Sequence, residues 1–343
     1  MALEFTISEI RWERYPRVSE NAHAREWLKF QSTRGLAANT LDAYGRDLDA
    51  YLGFLESAGG ALDTAVRSTI GAYIQKISQI PSSSPTKTKK ETRARLANAT
   101  LQQHLTVVRL FYDYLVEEKF CLRNPLRPPM GGRSLIQRHR RLPWIPSEEQ
   151  WQSILQVCMQ EPLRNRVMLA MSYDAALRRE EICSLGTADV DPAHRLLRIR
   201  SEATKSRRER VVPYSAPTSD LFGQYLRVRS GLSRERGPLF LSESFRNLGQ
   251  PISIWTWSKA VARIARRCDL PQFTPHTLRH LCLTDLARAN WDIHEIATFA
   301  GHRSVQTTLL YIHLSGRDLS RKLAVGMAQI HEQRTRMLAE INL

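Results

Sequence analysis

Long apolar runs are missing from this 343-residue chain, and none approaches the 18 or more residues that a membrane-spanning helix needs, so no membrane partner is expected. Residues 1–16 interleave Glu4, Glu9, Arg11, Glu13 and Arg14 with short apolar patches in place of a secretory signal's unbroken stretch, which makes the cytoplasm the expected location. Cysteine is sparse. Cys121, Cys158, Cys183, Cys268 and Cys282 are odd in number and no two stand at Cys-x-x-Cys spacing, which argues against a disulfide framework and against a cysteine-based zinc site. The P-loop, Gly-x-Gly-x-x-Gly and His-Glu-x-x-His signatures are absent, and no acidic cluster suggests a two-metal nuclease. Negative charge is short as well, with 34 Asp and Glu against 50 Lys and Arg, a net charge of +16.

What is present is ordinary for a globular chain: 42% hydrophobic and 24% charged residues, with length enough for two domains. The basic excess belongs to both halves, with 21 basic against 14 acidic residues up to position 140 and 29 against 20 beyond it. Two basic domains in one chain suggest a polyanion held between them, and nucleic acid is the commonest such partner.

Periodicity predicts a helical bundle first. Trp27, Leu28 and Phe30 share a short helix ending near Gly35. Leu41, Tyr44, Leu48, Tyr51, Leu52 and Leu55 follow the 3, 4 rhythm of a buried stripe, stopped by Gly59-Gly60. A third helix is expected from about Thr64 to Ile77, and a fourth from Leu96 to Glu118, after a Ser/Pro/Lys-rich loop at 80–92. Asn124-Pro125, Pro128-Pro129, Gly131-Gly132 and the basic run Arg138–Arg141 read as a linker. Beyond it, Ser147 heads a helix through Cys158, and Val167–Leu177 forms another. Leu196–Ile199 and Arg210–Val212 alternate like a small antiparallel hairpin. Helices return at Ile254–Cys268 and from His276 onward. The tail from Arg317 is one more amphipathic helix, with Leu319, Leu323, Met327 and Ile330 on a common side. The expected fold is therefore mainly α with a small antiparallel β-sheet. Its segments are an N-terminal extension (1–19), a helical domain (20–120), a linker (121–145) and a second domain (146–343) with the tail helix from about 317.

A set of cationic and aromatic residues stands out in the second domain. They are Arg178 in Asp174-Ala-Ala-Leu-Arg-Arg-Glu-Glu-Ile-Cys-Ser-Leu185, Lys205 in the turn before Arg210-Val-Val-Pro213, His276 and Arg279 in Thr274-Pro-His-Thr-Leu-Arg-His280, His302 in Gly301-His-Arg-Ser304, and Tyr311 in Thr307-Thr-Leu-Leu-Tyr-Ile-His313. Singly, each is a common surface or core residue. In this order, with Glu181 three residues after Arg178 and Tyr311 nine after His302, they resemble the tyrosine recombinase (phage integrase) family. Asn39-Thr-Leu-Asp-Ala-Tyr-Gly-Arg-Asp-Leu48 resembles the second helix of that family's core-binding domain, so the likeness covers nearly the whole chain from about residue 20. Ala176 stands where the family has Gly, Thr204 and Ser206 flank the lysine in place of glycines, and Ala300 replaces Leu.

The resemblance implies a SAM-like core-binding domain and an integrase-type catalytic domain closing around duplex DNA as a clamp, and site-specific cutting and rejoining through a 3′-phosphotyrosyl intermediate and a Holliday junction. Tyr311 would be the nucleophile, and Arg178 and Arg279 would fork onto the nonbridging phosphate oxygens. Lys205 would protonate the departing 5′ oxygen. His276 would accept the phenol proton or hold the phosphate, His302 would donate a hydrogen bond to it, and Glu181 would orient His276 or Arg178. No metal or other cofactor is implied. Thr100, Gln102 and Gln103 at the start of the fourth helix, with Arg207 and Arg208, are candidate DNA contacts. A homo-tetramer on DNA, or a hetero-tetramer with a related recombinase, would pass the tail helix between neighbours. Integration, excision or resolution of a mobile element at the nucleoid is the expected role. The alternatives are a silent DNA-binding accessory protein and a type IB topoisomerase.

Overall fold

The computed structural model describes residues 9–80, 96, 98–127, 143–204 and 208–311, with 323–325, 327, 328, 330 and 332–337. The chain divides into two compact units, Met1–Arg140 and Arg141–Leu343. Most of the Ser/Pro/Lys loop and most of the linker lie outside the described residues.

In the first unit, α1 (Pro16–Glu20), α2 (Ala22–Thr33), α3 (Ala38–Ser57), α4 (Arg67–Ser78) and α5 (Asn98–Glu117) form a bundle. Asn21 starts α2 by accepting from the Ala24 amide at 3.0 Å, satisfying one of the donors that a helix start leaves open. The chain turns out of α2 and α3 through Gly35 and Gly59, at φ 74° and 63°, a conformation that side chains with a Cβ avoid. The stripes read from the sequence fill the core: Trp27, Leu28, Leu41, Leu48 and Tyr51 meet Val108, Phe111, Tyr112 and Leu115. Burying tyrosines requires partners for their hydroxyls. Tyr112 donates to the Leu62 carbonyl at 3.2 Å, which leaves its oxygen to receive the Tyr51 hydroxyl at 2.8 Å.

Tyr15 and Val18, in the stretch read as an extension, are buried in this core, and Arg17 bridges to Asp49 and Glu56 on α3. Past α5, Asn124 donates to the Arg109 carbonyl and to Asp113, and accepts from the Leu126 amide, which ties residues 121–127 to that helix.

In the second unit, α6 (Glu148–Cys158) begins at a reciprocal cap between Ser147 and Gln150. Then come α7 (Leu163–Asp174), α8 (Arg179–Ser184), β1 (Val190–Asp191), β2 (Leu196–Ile199), β3 (Arg210–Pro213), α9 (Ala216–Leu232), α10 (Ile254–Arg267), α11 (Pro275–Arg288), α12 (Ile293–Ala300), α13 (Val305–Thr308) and a 3-10 turn at Leu309–Tyr311. The sheet is antiparallel in the order β1-β2-β3, with Leu197 opposite Val212 and Ile199 opposite Arg210. Its inward residues Leu197, Ile199 and Val212 pack with Trp257, Ile264, Phe240 and Leu278. The tail residues that are described are helical. No helix among the described residues is long and apolar enough to cross a membrane.

The sequence reading missed β1, which is two residues long, and α9. The buried side of α9 carries Phe222 and Tyr225 but also Arg229, whose guanidinium donates to the carbonyls of Ser233, Glu235, Pro238 and Leu239. A buried arginine that saturates its donors on backbone oxygens breaks the apolar period a reader looks for.

Two glycines test this packing. A Cβ on Gly45 of α3 would stand 2.7–2.8 Å from the Tyr15 ring, whereas one on Gly71 of α4 meets nothing. Gly45→Ala is expected to destabilise by roughly 1–3 kcal/mol, since overpacking must move a buried ring. Gly71→Ala should stabilise by about 0.5–1 kcal/mol through helix propensity. Urea unfolding of both variants measures the contrast.

Candidate active site

The site is built on α8. Arg178 immediately precedes this helix, and Glu181 on its first turn reaches back to accept the Arg178 amide at 2.9 Å. That reciprocal reach gives the three-residue spacing a physical reason: a carboxylate at the third helical position caps the amide at the helix start. The other bonds of the carboxylate go to guanidinium groups. Glu181 accepts from Arg178 Nη1 at 2.6 Å and from both terminal nitrogens of Arg210 on β3, at 3.1 and 2.8 Å. It is 1% exposed. Burial works to raise its pKa, but the hydrogen bonds and charge of Arg210, with those of Arg178, hold it down to about 2.

Arg279, on α11, is 2% exposed. Its Nη1 donates to the Ala176 carbonyl and its Nη2 to the Ala300 carbonyl, both at 2.6 Å. Burial, and then the positive charge of Arg178, lower its pKa to about 10. Ala176 makes its carbonyl available by adopting φ 47°, where the family has glycine. The conformation costs on the order of 1–2 kcal/mol for an L-residue.

His302 follows Gly301, which ends α12 at φ 63°. A Cβ on Gly301 would come within 3.1 Å of Arg210, so the turn and the guanidinium share one space. His302 Nε2 lies 3.0 Å from Arg279 Nη2 and its Nδ1 lies 2.8 Å from Thr308 Oγ1. A guanidinium only donates, so Nε2 accepts and Nδ1 carries the proton. Burial, then Arg279, Arg178 and Arg210, push the ring down to about 3.

Tyr311 closes the group. Its ring stacks on His302 with centroids 6.0 Å apart and planes within 10°. Burial raises the phenol above its ordinary pKa, against the pull of Arg279 and Arg178. Its hydroxyl oxygen lies 3.0 Å from Nδ1 of His280, a residue that the sequence reading did not select.

Thus Arg178, Glu181, Arg279, His302 and Tyr311 are brought together from three regions of the sequence, 178–181, 279 and 302–311. His276 sits exposed one turn before His280, the ring centroids 6.4 Å apart, with no hydrogen bond to Tyr311 among the described residues. Lys205 and Arg207 lie outside the described residues. Arg208 is exposed, and its amide donates to Thr204 Oγ1 at 3.1 Å. In the first unit, Thr100 and Gln102 are partly buried on α5, and Gln103 donates to Asp47 at 2.9 Å. Besides His280, the sequence reading missed the pairing of Arg210 with Glu181. It also missed an exposed face of α10 carrying Trp255, Thr256, Lys259 and Arg266 opposite the buried Trp257 and Val261.

Residues 146–317 match the sequence profile of the phage integrase family, and residues 25–119 match that of the phage integrase N-terminal SAM-like domain. The chain belongs to the phage integrase family of tyrosine recombinases. It is similar to tyrosine recombinase XerC of Herpetosiphon aurantiacus, 28% identical over 289 residues that cover 82% of this chain and 87% of that one. It is also similar to XerD of Ralstonia nicotianae, 29% identical over 290 residues, 83% of this chain and 87% of that one. In fold it matches the XerH recombinase bound to palindromic difH substrate in a post-cleavage complex, with a TM-score of 0.66, 15% identity and coverage of 94% and 91%. The Tn1549 transposon integrase with transposon right end DNA matches with a TM-score of 0.65, 16% identity and coverage of 92% and 98%. The tyrosine recombinases are DNA strand-transferring enzymes, and neither an accessory protein nor a topoisomerase is favoured by these matches.

Three groups at this recombinase site take up protons less readily folded than unfolded. His302 at about 3 and His280 at about 4 lie below the ordinary histidine value of about 6.5, and Glu181 at about 2 lies below that of a free carboxyl. Their contributions to stability are complete above the unfolded values and are lost as pH falls toward the folded ones. The melting temperature is therefore expected to fall first between about pH 6.5 and 5, and again below about 4.5. His302→Asn should flatten the first decline, as followed by thermal melts across that range.

Proposed function

We propose that this recombinase cuts and rejoins duplex DNA at specific sites through a 3′-phosphotyrosyl intermediate and a Holliday junction, with Tyr311 as nucleophile. The observation that carries the reading is the placement of the Tyr311 ring on His302, within a group that also holds Arg279 and Arg178. Breaking a phosphodiester needs a nucleophile, neutralisation of the charge that gathers on the pentavalent phosphorus, and a proton for the leaving oxygen. Tyr311 supplies the first. Arg178 and Arg279 supply the second, held in place before substrate arrives by Glu181 and by the carbonyls of Ala176 and Ala300, so little reorganisation is spent at the moment of reaction. Lys205 supplies the third. His302, with its proton on Nδ1 and its Nε2 on Arg279, fixes that guanidinium, and on protonation it gives the phosphate a further donor. His276, exposed beside the site, is positioned to hold the phosphate. Because burial keeps the phenol protonated at neutral pH, attack must be coupled to removal of its proton.

Binding to DNA draws on the +16 charge of the chain, with phosphate contacts supplying most of the affinity. Thr100, Gln102 and Gln103 of α5, together with Arg207 and Arg208, belong to this proposal as DNA contacts. The exposed Trp255, Thr256, Lys259 and Arg266 of α10 are joined to it here. Assembly as a homo-tetramer, or a hetero-tetramer with a related recombinase, is proposed from the tail helix, whose Leu323, Val325 and Ile330 remain exposed. A mobile element is the proposed client.

A nicked suicide duplex, carrying the sequence that the protein enriches from a randomised pool, tests the reading in metal-free buffer. Wild type is expected to form a denaturant-resistant protein–DNA adduct and Tyr311→Phe none, with DNA binding retained in both. Tight binding without any adduct would overturn the assignment. Sequencing the trapped DNA distinguishes the ends of an element from a single chromosomal site.

A further inference from the structure

The hydroxyl of Tyr311 is bonded to a residue for which the mechanism above has no use. His280 follows Arg279 on α11, and its Nδ1 stands 3.0 Å from Tyr311 Oη, with ring centroids 5.5 Å apart. The two other histidines of the site are placed differently. Both nitrogens of His302 are engaged, one by Thr308 and the other by Arg279. His276 is exposed and makes no hydrogen bond to Tyr311 among the described residues.

The direction of the His280 bond depends on the ring tautomer, because a neutral imidazole has one donor nitrogen and one acceptor. With the ring proton on Nε2, Nδ1 accepts from the Tyr311 hydroxyl. The ring is neutral at pH 7, because burial, and then His276 and Arg279, lower its pKa to about 4. A neutral imidazole with its free lone pair on the nucleophile's hydroxyl has the geometry of a general base.

We propose that His280, rather than His276, is the catalytic residue that takes the phenolic proton when Tyr311 attacks. The inference rests on Tyr311 being the nucleophile. In the step, the Oη–H bond breaks and the proton passes to Nδ1. An oxygen lone pair forms the bond to phosphorus, and the bond from phosphorus to the 5′ oxygen breaks, that oxygen taking its proton from Lys205. In rejoining, the 5′ hydroxyl gives its proton back to Lys205 as it attacks phosphorus, the phenolate leaves, and the His280 imidazolium returns the proton to it. The base is weak until DNA is seated. Its charged neighbour Arg279 depresses it, and an arriving phosphate sets a negative charge against that positive one and raises the basicity of the ring at the stage where it is needed.

The test separates the two ends of the reaction. Single-turnover cleavage is measured on the enriched nicked duplex with either an ordinary phosphate or a 5′-bridging sulfur at the mapped cut, since a thiolate leaves without needing a proton. His280→Asn retains a hydrogen-bonding atom near Nδ1 that cannot take a proton, and His280→Ala retains none. Both are expected to be slowed 10²-fold or more on both substrates, the scale of general base catalysis. Lys205→Ala is expected to be slow on the oxygen substrate and restored on the sulfur one. Melting temperature and DNA affinity are measured alongside, and Asn is the deciding variant where Ala fails to fold. Asn cleaving within threefold of wild type, or restoration of either His280 variant by sulfur, would overturn the inference while leaving the recombinase reading intact. Absence of an adduct with wild type would overturn both.

Discussion

The buried carboxylate of Glu181 is the constraint on which the rest of the site depends. Three arginines, Arg178, Arg210 and Arg279, are gathered at this site, and Arg210 and Arg279 are almost wholly buried. Collecting positive charge in a place of low polarity is costly unless each group is paired or saturated with hydrogen bonds. Glu181 pairs with two of the three, while Arg279 is satisfied by carbonyls at the ends of α7 and α12. The balance is deliberately incomplete, because one carboxylate against three guanidinium groups leaves net positive charge. Under the proposed function, that remaining charge is met by a DNA phosphate.

The same arrangement explains why so much chemistry depends on backbone turns. Arg279 needs two carbonyls pointing inward, and helices release carbonyls only at their C-terminal ends. One comes from the turn after α7, where Ala176 sits at φ 47°, and the other from Ala300 beside Gly301 at φ 63°. Two left-handed residues at two helix ends thus position one guanidinium. The short spacing between Gly301 and His302 has the same origin: the turn that frees the Ala300 carbonyl also brings the imidazole back onto Arg279.

The polar residues that meet in the second unit were legible because their order and spacing form a pattern that no single residue carries. The helical stripes of the first unit were legible because apolar period alone specifies a bundle. What escaped notice has physical reasons. His280 is one histidine after an arginine, and its partner lies 31 residues further along, so only the folding of α11 against the Leu309–Tyr311 turn gives it meaning. Arg210 reads as a strand residue next to a basic turn, and its pairing with Glu181 spans 29 positions. The start of α9 and its buried Arg229 disguise a helix as a polar stretch. In each case the sequence shows a charged residue, and burial, which is a property of the fold, decides what that charge does.

The seat of Tyr311 is set apart from the rest of its unit. Tyr311 packs with Ala176, Cys282, Leu283, Ile296 and Ala300 in a small cluster distinct from the main core of its unit. Two of these are alanines, so the apolar area holding the ring is modest, and local opening scales with the area that must be exposed. Such a cluster opens more readily than the sheet and α10, which belong to the larger core. A tyrosine buried against His302 and hydrogen bonded to His280 is shielded from solvent before DNA arrives.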